Sequence, residues 1–373
     1  MSEITAITMP KWGLTMTEGK VVGWLKETGQ SFVAGEELLE IETTKITNVM
    51  EASEPGTLRR VVAAAGATLP VGGLLAVAAP GSVPDAEIDA FVAAFAAPEP
   101  AAEAAEEAGP QTRDLEAGGR RVRYLDLGTG EGAPIVLIHG FGADLNTWMF
   151  TQPALAERRR TIALDLPGHG GSVKEVGAGD AAALTDAADA ALDALHIDRA
   201  HLVGHSMGGA IAAALALRRP AVAASLTLIA SAGLGPEINA AFIDGFVKAE
   251  RRREAQDVLK LLVYDPSLVS RTMVEDLLRY KRLDGVAAAL ATIARVWFAA
   301  GRQAVNLGPQ LGAIKSPLQI VWGREDRIIP VAHAEAVNGN VTVHIVEGAG
   351  HLPHMEKSGE VNRLIERFIA AAG

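Results

Sequence analysis

Residues 201–217 read HLVGHSMGGAIAAALAL, and their pattern indicates the architecture of most of the chain. A short apolar run, 201–203, comes directly before the motif GHSMG at 204–208, and an alanine-rich helical run follows at 210–217. A G-x-S-x-G motif between a strand and a helix places its serine on a sharp turn above the edge of a sheet. Flanking glycines let the backbone approach closely enough to hold such a turn. We therefore expect Ser206 to project from the carboxyl edge of a sheet.

Apolar runs recur on both sides of this turn and alternate with alanine-rich stretches. The runs lie at 135–139, 161–165, 201–204, 225–229, 318–322 and 341–346. Continuous apolar strands separated by helices indicate a mostly parallel sheet that is covered on both faces. Between about 235 and 305 this alternation stops and the sequence has a helical pattern throughout, which predicts a cap over the sheet.

Two later strand ends carry the residue types that a nucleophilic serine needs. Asp326 follows the run at 318–322, and His351 follows the run at 341–346. Because a serine hydroxyl is a weak nucleophile, a histidine must take its proton while an acid orients the imidazole. Ser206, Asp326 and His351 are therefore the predicted catalytic triad.

The first apolar run ends in a glycine-rich turn, HGFG at 139–142. The backbone N–H groups of Phe141 and Met207 are predicted to form an oxyanion hole, since both follow strand ends beside the serine. His139 and His205 are interpreted as residues that shape their turns. No metal site is predicted.

From about 118 to 369 the chain resembles the α/β-hydrolase family, including the loop DLPGHGGS at 165–172. The resemblance implies an α/β-hydrolase fold with a helical cap. It also favours Asp326 over the rival acid Glu325, because the acid of the family stands at that offset after the glycine at the strand end. The alternative is an inactive relative in which these residues only form turns.

Residues 1–80 contain an internal repeat at an offset of 37 residues. The aligned pairs are Gly19 with Gly56, Gly29 with Gly66, Gly35 with Gly72, and Leu38 with Leu75. Such a repeat predicts a two-fold β-sandwich, with the glycines in tight turns. The segment 42–47 falls between the two halves and contains Lys45.

Lys45 stands in the sequence EIETTKIT at 40–47. This region resembles the lipoyl domains of 2-oxo acid and acetoin dehydrogenase complexes, and the resemblance covers almost all of residues 3–79. It implies that Lys45 carries covalent lipoate, added by a lipoate-attaching enzyme. Thr44 stands where the family commonly has an acidic residue. Thr44 and Ile46 do not match the methionines that flank the lysine of biotin carriers, so lipoate is expected rather than biotin.

The segment 81–112 is rich in Ala, Pro and Glu and carries seven acids and no base. It buries too little apolar surface to offset the entropy of ordering, which predicts a linker. Apolar residues at helical spacing within 85–97 predict one short helix, docked on a partner or on its own protein. The predicted domains are therefore 1–80, this linker, and 113–373 with its cap.

Composition excludes several classes of function. The chain of 373 residues has a net charge of −11, which argues against affinity for nucleic acid or anionic membrane. It has no cysteine, so disulfides, thiolate metal sites and a cysteine nucleophile are excluded. No run approaches the roughly 18 apolar residues of a membrane span. A soluble, cytoplasmic protein is expected.

The combination of a lipoyl domain and a serine triad resembles the acyltransferase component of acetoin dehydrogenase complexes over nearly the whole chain. The resemblance implies transfer of acetyl from lipoyl-Lys45 to coenzyme A through Ser206. It implies two partner enzymes, a thiamine-diphosphate-dependent acetoin dehydrogenase component and a dihydrolipoamide dehydrogenase. We also expect a homo-oligomer.

Two other functions remain open from the sequence. One is a serine hydrolase of small esters, thioesters or diketones with an accessory lipoyl domain, and the other is a non-catalytic lipoyl carrier and scaffold. The role of a basic group in the cap also has two interpretations. These residues either contact the phosphates of coenzyme A or lie on solvated helix faces, where they are paired with acids. The members of the group are Arg251, Arg252, Arg253, Arg271, Arg279, Lys281 and Arg282.

Overall fold

The computed structural model describes residues 4–10, 12, 16–43, 47–95, 111–337, 339 and 341–372. The chain divides into two compact units, Met1–Gly109 and Pro110–Gly373. Each unit has its own cluster of buried apolar side chains. The part of the predicted linker at 96–110 lies outside the described residues.

The first unit is a sandwich of two antiparallel sheets. Its strands are β1 (Thr5–Thr8), β2 (Glu18–Trp24), β3 (Ser31–Phe32), β4 (Glu37–Glu42), β5 (Thr47–Glu51), β6 (Gly56–Val61), β7 (Thr68–Pro70) and β8 (Leu74–Ala78). One four-stranded sheet has the order β1-β8-β6-β3, and the other has the order β5-β4-β2-β7. Side chains such as Val21, Leu58 and Leu75 are fully buried and form its core.

The internal repeat corresponds to matched halves of this sandwich, because β2, β3 and β4 recur as β6, β7 and β8. The turn glycines match as well: φ is 95° at Gly29 and 90° at Gly66, and 83° at Gly35 and 81° at Gly72. This left-handed region favours glycine, which explains why the repeat keeps glycine at these positions. The predicted β-sandwich is thus present.

The predicted attachment site, Lys45, lies outside the described residues. The two strands that flank it, β4 and β5, are antiparallel neighbours with Glu42 opposite Thr47. The ends of both strands therefore lie side by side. This arrangement fits a covalent carrier group on the connection between them.

A short helix, α1 (Asp85–Ala94), packs on the first unit itself. Ile88 is completely buried in a cluster with Leu74 of β8. An ion pair of 2.8 Å joins Arg59 of β6 to Asp85 at the start of the helix. The sequence leaves open whether this helix packs on a partner or on its own protein. In the structure it packs on its own protein.

The second unit contains one eight-stranded sheet. Its strands are β9 (Arg113–Ala117), β10 (Arg120–Leu127), β11 (Ile135–Ile138), β12 (Thr161–Leu164), β13 (Ala200–His205), β14 (Ala223–Ile229), β15 (Leu318–Gly323) and β16 (Thr342–Val346). The order is β16-β15-β14-β13-β11-β12-β10-β9. Strands β11 to β16 are parallel, whereas β9 and β10 are antiparallel and occupy one edge.

The predicted mostly parallel sheet is confirmed. Each of the six apolar runs forms a strand, with bounds that differ by at most two residues. Strands β11 to β15 are buried along their whole length, as expected for a sheet that is covered on both faces. The antiparallel edge strands β9 and β10 were not predicted.

The second unit has ten α-helices within the described residues, and four of them form a cap between β14 and β15. The helices are α2 (Gln152–Ala156), α3 (Ala181–Ala194), α4 (Met207–Arg218), α5 (Ala240–Lys248), α6 (Arg252–Leu262), α7 (Arg271–Lys281), α8 (Val286–Trp297), α9 (Ala332–Glu335), α10 (Pro353–Glu356) and α11 (Ser358–Ala372). The cap consists of α5 to α8, which lie within the interval of about 235–305 that the sequence indicates.

In the described part of the chain, no single helix is long and apolar enough to cross a membrane. Two consecutive helices, Arg271–Lys281 and Val286–Gly301, are together long and apolar enough for a span, but they are bent by 94° relative to each other.

Replacing Ile88 by alanine is expected to lower the free energy of unfolding of the first unit by about 2–5 kcal/mol, because the residue is completely buried under α1. Calorimetry of the full chain should show an earlier transition for the first unit only. The exposed Glu87→Ala on the same helix is the control, and its effect should stay within about 0.5 kcal/mol. Equal midpoints for both variants would contradict the docking of α1.

Candidate active site

Ser206 stands at the turn between β13 and α4, with φ 52° and ψ −119°. A positive φ is strained for any residue with a side chain, so the surrounding backbone has to hold the turn in place. A Cβ at Gly204 would lie 2.3 Å from Gly208 O, and a Cβ at Gly208 would lie 2.2 Å from Ile138 O. Both glycines of the motif are therefore required by close backbone packing.

The register of the parallel strands brings the site together. Gly204 of β13 pairs with Ile138 of β11, and Gly323 of β15 pairs with Val346 of β16. Because these strands are parallel, the loops that follow them all leave the sheet at its carboxyl edge. The loops with the other predicted site residues therefore surround Ser206.

His351 lies between Ser206 and Asp326. Its Nε2 is 3.0 Å from Ser206 Oγ, and its Nδ1 is 2.8 Å from Asp326 Oδ2. The side chain of Asp326 is fully buried, and that of His351 is 3% exposed. Hydrogen bonding to the carboxylate places the ring proton on Nδ1, which leaves Nε2 to accept the proton of the serine. The structure thus brings the three predicted residues into hydrogen-bond contact.

The two neighbouring acids after β15 have different contacts. Asp326 Oδ1 accepts hydrogen bonds from the N–H groups of Ile328, at 2.8 Å, and Ile329, at 3.0 Å. These bonds hold the carboxylate in position for the imidazole. Glu325 Oε2 instead accepts a hydrogen bond of 3.1 Å from the N–H group of Ala349. The geometry therefore matches Asp326, and not Glu325, to the acid role.

The turn that contains Phe141 lies directly beside the nucleophile, and Met207 follows Ser206 in the chain. A Cβ at Gly140 would be 3.0 Å from the Cβ of Ser206. The N–H groups of Phe141 and Met207 donate to no acceptor within the residues that the structure describes. Two unpaired N–H donors at this position suit an oxygen that gains negative charge during the reaction.

Two buried histidines join the glycine-rich turn 139–142, the oxyanion turn, to the loop 165–172. His169 Nδ1 donates to the carbonyl oxygen of Pro167 at 3.0 Å, and its Nε2 accepts from the N–H group of Gly142 at 3.1 Å. His139 Nε2 accepts from the N–H group of Leu166 at 3.0 Å. Burial lowers the pKa of His139 to about 4 and that of His169 well below its ordinary value. Both rings are therefore neutral and able to accept these hydrogen bonds.

His205 connects the nucleophile turn to the histidine loop, because its Nε2 donates to the carbonyl oxygen of His351 at 2.8 Å. Burial lowers its pKa well below the ordinary value. His354 lies against it, with ring centroids 4.6 Å apart, and its Nε2 is 3.2 Å from Thr147 Oγ1. The sequence does not indicate the contacts of His169 with Gly142 and of His354 with Thr147, which span 27 and 207 residues of the chain.

Phenylalanine rings cover the oxyanion turn from the side of the cap. The ring of Phe141 lies 5.6 Å from that of Phe246 on α5 and 5.7 Å from that of Phe298, between centroids. A Cβ at Gly142 would come within 2.3 Å of the Phe246 ring. Ser206 itself is 6% exposed. The turn at Phe141 and Gly142, next to the nearly buried nucleophile, is therefore packed against bulky apolar side chains.

Four of the seven members of the basic group in the cap are paired with acids, and Arg253, 4.0 Å from Asp257, is one of them. Arg252 and Arg271 are 2.6 and 2.9 Å from Glu275, and Arg279 is 3.1 Å from Asp276. Such pairs are typical of solvated helix faces. The pairing favours this interpretation over contacts with coenzyme A phosphates.

Both units match known families. The family model described as alpha/beta hydrolase fold matches residues 133–358, and the model described as biotin-requiring enzyme matches residues 5–77. A meta-cleavage product hydrolase from Pseudomonas fluorescens is similar in structure, with a TM-score of 0.64 at 24% identity over 70% of this chain and 98% of that chain. The predicted fold class is confirmed for both parts.

Two curated relatives are similar over nearly their whole length. The dihydrolipoyllysine-residue acetyltransferase component of the acetoin cleaving system of Pseudomonas putida is 47% identical over 370 residues, which is 99% of each chain. The protein of the same description from Cupriavidus necator is 44% identical over 367 residues, 98% of this chain and 97% of its own.

Replacing Asp326 by asparagine is expected to slow acetylation of Ser206 by p-nitrophenyl acetate about ten-thousandfold, because the amide favours the wrong imidazole tautomer. The burst phase in a stopped-flow measurement gives this rate. The neighbouring Glu325→Gln keeps the imidazole partner and should lose less than about tenfold. A larger loss for Glu325→Gln than for Asp326→Asn would reverse the two roles.

Proposed function

The chain belongs to the family of dihydrolipoyllysine-residue acetyltransferase components of acetoin cleaving systems, and we propose that it passes acetyl from a lipoyl group on Lys45 through Ser206 to coenzyme A. It is the acetyltransferase component of such a system, built from a lipoyl domain and an α/β-hydrolase fold. The main support for this route is the pair of hydrogen bonds that joins Ser206 to His351 and His351 to Asp326. A serine activated in this way can accept an acyl group from a thioester.

Attachment of lipoate to Lys45 is supported by the family match of the first unit and by the paired ends of β4 and β5 that flank the lysine. When bound, the group supplies a thiol that holds acetyl as a thioester. The proposal requires a lipoate-attaching enzyme, a thiamine-diphosphate-dependent component and a dihydrolipoamide dehydrogenase as partners. The homo-oligomer and the cytoplasmic location stay predictions from the sequence.

In the first half of the proposed reaction, Ser206 Oγ attacks the carbonyl carbon of the acetyl thioester while His351 Nε2 takes the hydroxyl proton. The N–H groups of Phe141 and Met207 stabilise the negative oxygen, and Asp326 stabilises the imidazolium. Collapse breaks the carbon–sulfur bond, and His351 gives its proton to the departing sulfur. Acetyl is left as an ester on the serine.

In the second half, the thiol of coenzyme A attacks the acetyl ester while His351 takes the thiol proton. The same two N–H donors stabilise the oxyanion again. Collapse breaks the bond to Ser206 Oγ, which regains the proton from the imidazolium. Acetyl-coenzyme A leaves, and the enzyme returns to its starting state.

The low exposure of the site supports a thiol rather than water as the acceptor. Ser206 is 6% exposed, and the rings of Phe246 and Phe298 pack on Phe141 of the oxyanion turn. A covered site limits hydrolysis of a reactive intermediate. The triad can activate either water or a thiol, so the side chains that cover the serine determine which of the two accepts the acetyl group.

The route is tested by intact mass of the lipoylated full chain after incubation with acetyl-dihydrolipoamide, with and without coenzyme A. We expect acetylation of wild type and of Lys45→Arg, because free acetyl-dihydrolipoamide does not need the lipoyl group on Lys45. We expect no acetylation at position 206 in Ser206→Ala. Peptide mapping should place the acetyl group on Ser206. Addition of coenzyme A should remove it at least about tenfold faster than water does.

The possible outcomes separate the three functions that the sequence leaves open. Acetyl that leaves Ser206 only to water would indicate a hydrolase with an accessory lipoyl domain. Acetyl that never reaches Ser206, combined with unchanged activity of the assembled complex containing Ser206→Ala, would indicate a carrier and scaffold. Loss of complex activity in Lys45→Arg, with its Ser206 still reactive, would support the attachment site independently.

Replacing Phe246 by alanine is expected to widen the acyl site, because this ring lies against the oxyanion turn. Relative to wild type, the ratio of kcat/KM for butyryl over acetyl thioesters should rise about tenfold or more, in line with the discrimination of added methylenes in apolar pockets. Steady-state kinetics with acyl donors of increasing length provide the measurement.

Phe242→Ala is the matched control for this substitution. Phe242 lies on the same helix and its ring contacts Phe246, with centroids 5.7 Å apart. Its loss therefore tests general loosening of the cap without opening the contact with Gly142. A similar gain for both variants would show that chain-length selection depends on cap packing as a whole.

A further inference from the structure

Glu356, on α10, is a buried carboxylate outside the triad, with 8% of its surface exposed. Its Oε1 accepts a hydrogen bond of 2.8 Å from the N–H group of Gly350, in the loop of His351. Its Oε2 accepts a hydrogen bond of 2.6 Å from the N–H group of Tyr264, just after cap helix α6. One carboxylate therefore joins the loop of the general base to the cap.

Backbone contacts join the same two segments. The N–H group of His351 donates to the carbonyl oxygen of Leu262 at 2.8 Å. A Cβ at Gly350 would lie 2.8 Å from Leu262 O and 2.9 Å from Tyr264 N. The loop thus packs directly on the backbone of the cap segment 262–264. A displacement of this segment would carry the loop with it.

The opposite side of the loop is tied to the sheet. His205 Nε2 donates to the carbonyl oxygen of His351 at 2.8 Å, and Glu325 Oε2 accepts from the N–H group of Ala349 at 3.1 Å. The position of the imidazole therefore depends on a balance between the contacts of the nucleophile turn and those of the cap. Glu356 supplies the charged contact on the cap side.

We propose that Glu356 is a positioning residue whose ionised carboxylate fastens the loop of His351 to cap segment 262–264 and so sets the distance from His351 Nε2 to Ser206 Oγ. The inference rests on the proposed roles of Ser206 and His351. A carboxylate has acceptor sites for both N–H groups, whereas an amide or a protonated acid presents a donor to one of them. Loss of one bond releases the cap side of the loop.

Protonation of Glu356 falls in a range that kinetics can reach. Burial raises its pKa to about 7, the Asp326 carboxylate contributes in the same direction, and backbone N–H groups oppose the shift. Its ionised form is therefore lost as the pH falls through about 7. Other titratable groups at the junction are Glu325, and His354, which burial keeps neutral. Arg327, in the loop after β15, is the nearby positive charge, and its guanidinium donates to the carbonyl oxygen of Lys260 on α6 at 2.9 Å.

The test compares wild type, Glu356→Gln and Glu360→Gln as full chains. The rate of Ser206 acetylation by p-nitrophenyl acetate is measured in the burst phase from about pH 5.5 to 9, with thermal unfolding midpoints at each pH. Glu360→Gln is the control because it removes an exposed carboxylate from the adjacent helix α11. It should follow wild type at every pH.

At pH 8.5, Glu356→Gln is expected to acetylate about tenfold more slowly than wild type, as for a small misplacement of a catalytic group. The two rates should converge below pH 6, where wild-type Glu356 is itself protonated. The acid limb of wild type should accordingly be steeper than that of the variant, because two groups titrate instead of one. A constant ratio across the pH range, or no difference at all, would overturn the proposal.

Hydrogen exchange supplies a readout that does not depend on acetylation. The N–H groups of Gly350 and Tyr264 should exchange faster in Glu356→Gln than in Glu360→Gln at pH 8.5, and unchanged exchange would also overturn the proposal. If wild type showed no burst of acetylation, the proposed role of Ser206 would be refuted. The exchange experiment would still test the role of Glu356. If Glu356→Gln failed to fold, the slope of the wild-type acid limb would decide, and a single ionisation there would refute the inference.

Discussion

The close approach of two backbone segments beneath Ser206 is the constraint on which the second unit depends. Gly208 packs on the carbonyl oxygen of Ile138, and Gly204 packs on that of Gly208, so that α4 starts directly over the end of β11. This contact holds the serine at a φ of 52° that an unsupported residue would leave. It also places the first N–H group of the helix beside the loop after β11. The nucleophile and both oxyanion donors are thus positioned by one packing arrangement.

Buried polar groups around this turn act as fixed supports because each has a specific partner. His169 holds the N–H group of Gly142, and His205 holds the carbonyl oxygen of His351. Removing a partner from a buried N–H or C=O group costs about 1–3 kcal/mol. Lowered pKa values keep the imidazoles of His139 and His169 neutral, so the oxyanion turn carries no competing positive charge. Of the histidines described here, His351 is the one in contact with both a nucleophile and an acid.

The triad residues can be predicted from the sequence because they follow apolar strands in a known order, and strand ends can be recognised from local pattern. Strands β9 and β10 are not predicted, since their alternating charged residues, as in RRVRYLDL, differ from the continuous apolar runs of the central strands. The contacts of Glu356 and His169 are likewise not predicted. These depend on pairings such as Glu356 with Tyr264, which are 92 residues apart. No local pattern signals contacts of this kind.

An ester on Ser206 would let one site serve two thiols in succession, because the donor leaves before the acceptor binds. The same histidine, acid and oxyanion donors then act in both halves, and the triad has no means of its own to prefer a thiol over water. That preference must come from the surroundings of the serine. In this chain the surroundings are largely the cap, through Phe246 over the oxyanion turn and through the segment that contacts the loop of His351. The difference between a transferase and a hydrolase on this fold is therefore expected to lie in the packing of the cap, and not in the catalytic residues.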